Sequence, residues 1–158
     1  MRNISYVLTI SFFIFNIISC SEGVEEFYAI TNTDDETAVF TVSSISGSTT
    51  ESGGTATFTV KLSSEPTSNV TIGVSSSDGT EGTVSPSTLT FTSSNWNANQ
   101  TVTVTGVDDS LVDGNQSYNV VLAAASSSDN GYSGLNPDDV SVSNTDVNTS
   151  LQGGNIQG

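Results

Sequence analysis

From Ala38 onward, apolar side chains recur at every second position, in short runs separated by glycine, proline, serine and asparagine. The runs are Phe40 and Val42; Ala56, Phe58, Val60 and Leu62; Val70, Ile72 and Val74; Leu89 and Phe91; Val102 and Val104; Tyr118, Val120 and Leu122; Val140 and Val142. A period of two places alternate side chains on one face of a strand, so each run predicts a half-buried β-strand. Breakers lie where the strands must turn: Gly47 and residues 51–54, Glu65-Pro66, residues 75–79, Gly82 and Pro86, Gly106 and Gly114, and Gly131, Gly134 and Pro137. Seven short strands with one apolar face each predict an all-β fold, a seven-stranded antiparallel immunoglobulin-like sandwich with Greek-key connections. A seven-stranded barrel satisfies the same pattern. Trp96, in the turn before the fifth predicted strand, is expected to cap the open end of the core rather than to hold a ligand.

Residues before and after this region follow other rules. Arg2 precedes an apolar run at residues 4–18 that is short and poorly flanked for a membrane span, so residues 1–19 are expected to be a targeting segment. Ile17-Ile18-Ser19-Cys20 resembles a bacterial lipobox, which implies that Cys20 is lipidated and becomes the first mature residue. An ordinary secretory signal that happens to contain a cysteine is the alternative. Cys20 is the single cysteine, so no intramolecular disulfide can form, and burial must carry the stability of the domain. Residues 20–37 are polar and acidic without a sustained period and read as a tether. Residues 38–148 are then the folded domain, and residues 149–158 a polar, glycine-containing tail.

Charge narrows the function classes. The formal net charge is −15, with two cationic residues, Arg2 and Lys61. Such a chain repels nucleic acid and anionic headgroups, so neither is an expected partner beyond the lipid anchor itself. There is no histidine. With the cysteine assigned to lipid and one lysine in the domain, nucleophilic triads have no members, and no enzymatic activity is expected. Asn69, Asn99 and Asn115 head Asn-x-Ser/Thr triplets, which an Asn/Ser/Thr-rich chain produces by chance.

Strand parity gathers the acids. If successive predicted strands run antiparallel, the connections after the first, third and fifth strands and the exit of the seventh share one end of the domain. Those segments carry Glu51, Asp78, Glu81, Asp108, Asp109, Asp113 and Asp146. Carboxylates held close together repel unless something neutralises them. Hard oxygen donors on loops, with no sulfur or nitrogen among them, suit Ca²⁺ better than Mg²⁺, which prefers rigid octahedral sites and retains its waters. Turn propensity of Asp alone is the competing account of these positions. The Asp-x-Asp/Asn-x-Asp/Asn-Gly loop of an EF-hand is not present.

Several blocks in order resemble the Calx-β module and bacterial Calx-β-like repeats. They are Glu51-x-Gly53-Gly54 leading into residues 55–62, Gly82-Thr83-Val84-Ser85-Pro86, Leu89-Thr90-Phe91, Asn95-Trp96-Asn97, residues 102–109, residues 116–120 and Asn144-Thr145-Asp146. The likeness spans residues 40–148. It implies a seven-stranded sandwich whose distal loops bind calcium, with Glu51, Asp78 or Glu81, Asp108, Asp109, Asp113 and Asp146 at the ligand positions. Ser110 departs from the third consecutive acid of strong binders, Gly114-Asn115-Gln116 from a richer acidic run, and Asp146-Val147-Asn148 from a cluster. Fewer charged ligands imply one weak site, in the affinity class of extracellular modules.

The sequence therefore predicts a lipid-anchored module of a bacterial cell envelope, on the outer membrane or cell surface. Calcium would rigidify its distal loops for interaction with a protein or matrix partner. A metal-independent adhesion or spacer domain of a surface lipoprotein is the alternative.

Overall fold

The computed structural model describes residues 37–149, so the targeting segment, Cys20, most of the acidic tether and nearly all of the tail lie outside the described residues. Nine strands run in chain order: β1 (Phe40–Val42), β2 (Thr49–Thr50), β3 (Thr55–Leu62), β4 (Val70–Ser76), β5 (Gly82–Ser85), β6 (Thr88–Phe91), β7 (Gln100–Gly106), β8 (Gln116–Leu122) and β9 (Val140–Thr145). Among the described residues there is no helix long and apolar enough to cross a membrane.

The strands form two sheets, one of four strands in the order β1-β3-β7-β5 and one of five in the order β2-β9-β8-β4-β6. The expected period-two positions are the buried ones. Ala56, Phe58, Val60 and Leu62 are buried on β3 while Thr55 and Thr57 face out, and the same alternation runs through β4, β6, β7, β8 and β9. Side chains of both sheets meet in one core cluster, Phe58, Val60, Val102 and Val104 from the first with Ile72, Phe91, Val120 and Leu122 from the second. Trp96 is partly buried against that cluster, as expected of a cap.

Nine strands replace the seven expected, for two physical reasons. The first predicted strand changes sheets: β1 pairs antiparallel with β3, and after a crossing segment β2 pairs with β9. The β2–β9 pair is parallel, which departs from the expected all-antiparallel arrangement. Its two threonines give no apolar alternation to read. The second addition is β5, which pairs with β7 through Gly82↔Gly106 to Ser85↔Thr103, while β6 pairs with β4 in the other sheet. Pro86 stands between them, and a residue without an N–H cannot continue a ladder.

Two residues of the core cluster, Ala125 and Tyr132, lie outside the strands, in the long β8–β9 connection. Tyr132 is 1% exposed and packs edge-on against Phe40 with ring centroids 5.8 Å apart. Its hydroxyl accepts from Ser64 N–H at 3.1 Å and donates to Ser64 C=O at 2.9 Å, which satisfies the phenol inside the protein.

Candidate metal site

The β2–β3 turn, the β4–β5 connection, the β7–β8 loop and the exit of β9 carry the seven acids singled out from sequence. Backbone hydrogen bonds tie these segments together. Glu51 N–H donates to Thr145 C=O at 3.1 Å, Gly106 N–H to Gly54 C=O at 3.0 Å, and Val107 N–H to Glu81 C=O at 3.0 Å. Gly53, with φ of 84°, makes the tight turn after Glu51, and Gly106 lets β7 pass against the Thr50 carbonyl, where a Cβ would collide.

The β7–β8 loop is shaped by its own carboxylates. Asp108 Oδ1 accepts from Ser110 N–H at 2.8 Å, and Asp109 Oδ1 from Leu111 N–H at 2.9 Å, two successive Asx-type turns. Ser110 adopts a left-handed φ of 64°, and Gly114 one of 78°. Asp146 closes the loop from the other side, its Oδ2 accepting from Gly114 N–H at 2.8 Å.

Three of the acids come together. One carboxylate oxygen each from Glu51, Asp109 and Asp113 lie within 4.8 Å of one another, a group that could hold a metal ion. Glu51 is buried, Asp109 half-buried and Asp113 exposed, so the cluster opens to solvent on the Asp113 side. The Val147 N–H bond to Glu51 Oε2, at 3.1 Å, would by itself lower the pKa of that carboxyl. Partial desolvation and the charges of Asp146, Asp109 and Asp108 outweigh it, and the group is held above the ordinary carboxylate value. The negative charges at this end therefore disfavour one another.

Asp108 and Asp146 border the triad without belonging to it. Asn148 Nδ2 donates to Glu51 Oε2 and Asp108 Oδ1, each at 3.2 Å, and to Leu111 C=O at 3.0 Å. An uncharged amide thus sits among the carboxylates. The Ser110 N–H bond and this amide keep Asp108 below its ordinary value.

Asp78 and Glu81 are not brought into the triad. Asp78 Oδ1 is taken by its neighbour, accepting from Thr80 Oγ1 at 2.6 Å and Thr80 N–H at 3.0 Å, and those bonds lower its pKa. Glu81 is 7% exposed and turns inward, where Oε2 accepts from Asn144 Nδ2 at 3.2 Å. Sequence reasoning passed over Asn144 and Asn148. Asn144 carried a signal, for it occupies the inward slot that follows Val140 and Val142. Asn148 carried none beyond being a turn residue.

A groove of about 550 Å³ lies elsewhere, between β1 and residues 138–141. Of the acids along it, Asp139 already accepts from Leu122 N–H at 2.9 Å.

No protein-family model matches the chain, and no curated protein matches it. Among solved structures it is similar to SSP-19, an MSP-domain protein-like family member of Caenorhabditis elegans. The two share 12% sequence identity over 68% of this chain and 99% of that one, with a TM-score of 0.40.

Proposed function

We propose that residues 38–148 form an immunoglobulin-like sandwich of the Calx-β kind, carried on a bacterial envelope lipoprotein anchored through Cys20. Its acidic end binds one calcium ion weakly, through Glu51, Asp109 and Asp113, and the bound ion rigidifies the loops that meet a protein or matrix partner. The sandwich is supported by the single core to which both sheets contribute. The observation that carries the calcium reading is the convergence of three carboxylate oxygens within 4.8 Å. Lys61, the one cation of the domain, is placed on β3 opposite Thr41, away from the Glu51 turn. An all-oxygen set on loops suits Ca²⁺, and its exposed side leaves room for water to complete the shell.

A second reading, a metal-independent spacer or adhesion domain, is favoured by Asn148, whose amide already serves Glu51 and Asp108. Calorimetric titration separates the two. The calcium reading expects saturable binding of one ion in the sub-millimolar to millimolar range, lost on Asp109→Asn. No binding heat in the wild-type protein leaves the spacer reading.

A further inference from the structure

Behind the carboxylates lies a chain of polar side chains sealed from solvent. Thr49 is 0% exposed, Asn144 1%, Tyr118 4% and Glu81 7%. Asn144 stands at its centre. Its Oδ1 accepts from Thr49 Oγ1 at 2.9 Å, and its Nδ2 donates to Glu81 Oε2 at 3.2 Å and Val107 C=O at 3.0 Å. Thr49 Oγ1 also shares a hydrogen bond of 3.2 Å with Tyr118 OH. Both amide protons are therefore used, and no apolar or hydroxyl side chain in that slot could serve the same three partners. Desolvation by burial, outweighing the Thr49 bond and aided by the charge of Glu81, raises the Tyr118 pKa and keeps the phenol protonated.

The partners are the roots of the acidic loops. Thr49 precedes Glu51 by two residues, Val107 immediately precedes Asp108 and Asp109, and Asn144 itself precedes Asp146 by two. Glu81 C=O, in turn, receives Val107 N–H. We propose that Asn144 is the positioning residue of the acidic end: one buried amide ties the Thr49 hydroxyl, the Glu81 carboxylate and the Val107 carbonyl together, and so holds the roots of the acidic loops at the separation that brings Glu51 and Asp109 together. The proposal rests on the calcium reading for its consequence, the setting of ion affinity, but its structural content stands apart from it. Removing the amide strips a donor from a buried carboxylate and from a backbone carbonyl, and the loop roots must move or admit water to recover those bonds.

The test compares Asn144→Ala, Thr49→Val and Val70→Ala in the full-length protein. Val70 is fully buried where β4 begins, at the far end of the strand from Asp78, and serves as a control for loss of stability alone. Two quantities are read: amide hydrogen exchange in chelator, and calcium affinity by titration. Asn144→Ala is expected to speed exchange selectively at the Glu51 and Val107 amides and to weaken calcium binding by roughly tenfold or more, the scale of losing a partner that orients a metal ligand. Thr49→Val, which removes one of the three bonds, should do the same to a smaller degree, and it carries the test if the alanine variant does not fold. Val70→Ala should leave exchange at those two amides no faster than elsewhere and affinity unchanged. Uniform exchange and equal calcium affinity in the Asn144 and Val70 variants would overturn the proposal. If the wild-type protein binds no calcium, the site reading fails, and the exchange comparison still decides whether Asn144 positions the loops.

Discussion

Two carboxylates at opposite ends of the domain are held in contrary ways. Glu51 is pushed up by burial and by neighbouring acids despite its bond from Val147 N–H. Asp129 is also penalised by burial, but bonds from Thr67 N–H, Gly131 N–H, the Thr67 hydroxyl and Tyr132 N–H outweigh that penalty and lower it. Its Oδ2 accepts from Thr67 N–H at 2.7 Å and Thr67 Oγ1 at 3.0 Å, and its Oδ1 from Gly131 N–H at 2.8 Å, so one side chain clamps the β3–β4 turn to the β8–β9 connection. A carboxyl lowered in the folded state contributes stability above its unfolded value, and that contribution is lost as pH falls through the folded one. Asp129→Asn should therefore cost about 1 kcal/mol at neutral pH. The gap between wild type and variant should close on acidification below the ordinary value of 3.8. Urea unfolding at a series of pH values measures it, and a gap that widens in acid would contradict the clamp.

At the scale of elements, period-two alternation was enough to find every strand with two or more buried apolar residues. It missed β2, whose Thr49-Thr50 pairs in parallel with β9, and β5, where Val84 is only half-buried. Both gaps have one cause: these strands are held by ladder bonds and close backbone approach, which leave no apolar signature. The candidate site was legible to a similar degree. Parity placed Glu51, Asp109 and Asp113 at one end, because strand direction alone decides which loops meet. Parity could not foresee that Thr80 occupies Asp78 or that Asn144 draws Glu81 inward, since both depend on side-chain partners. The close approach at Gly106 gives the matching prediction. A Cβ there meets the Thr50 carbonyl, which is backbone and cannot yield cheaply. Gly106→Ala should cost roughly 1–3 kcal/mol, the range for overpacking, whereas Gly79→Ala, with nothing within 4 Å of the added atom, should be near neutral. Paired denaturant melts compare them, and equal costs would refute the account of this crossing.

For the whole molecule, the charge of −15 and the proposed lipid anchor act together. If that anchor holds the domain at an anionic surface, its net negative charge disfavours close contact with that surface. If Cys20 carries the lipid, the wild-type protein expressed in a bacterial host should partition into detergent, and Cys20→Ser should move it to the aqueous phase; unchanged partitioning would exclude that anchor. The claim that governs the rest is calcium at the acidic end, and a thermal melt in chelator, in millimolar Ca²⁺ and in matched Mg²⁺ tests it most directly. Binding to the native state adds about 1.4 kcal/mol when free calcium is ten times Kd, a shift of a few degrees for a domain of this size. The account predicts that upshift in calcium alone. It also predicts that Glu51→Gln raises the melting temperature in chelator, by removing a charge its neighbours disfavour, and abolishes the calcium shift. Superimposable curves in all three conditions would contradict it and leave the acids as surface charge.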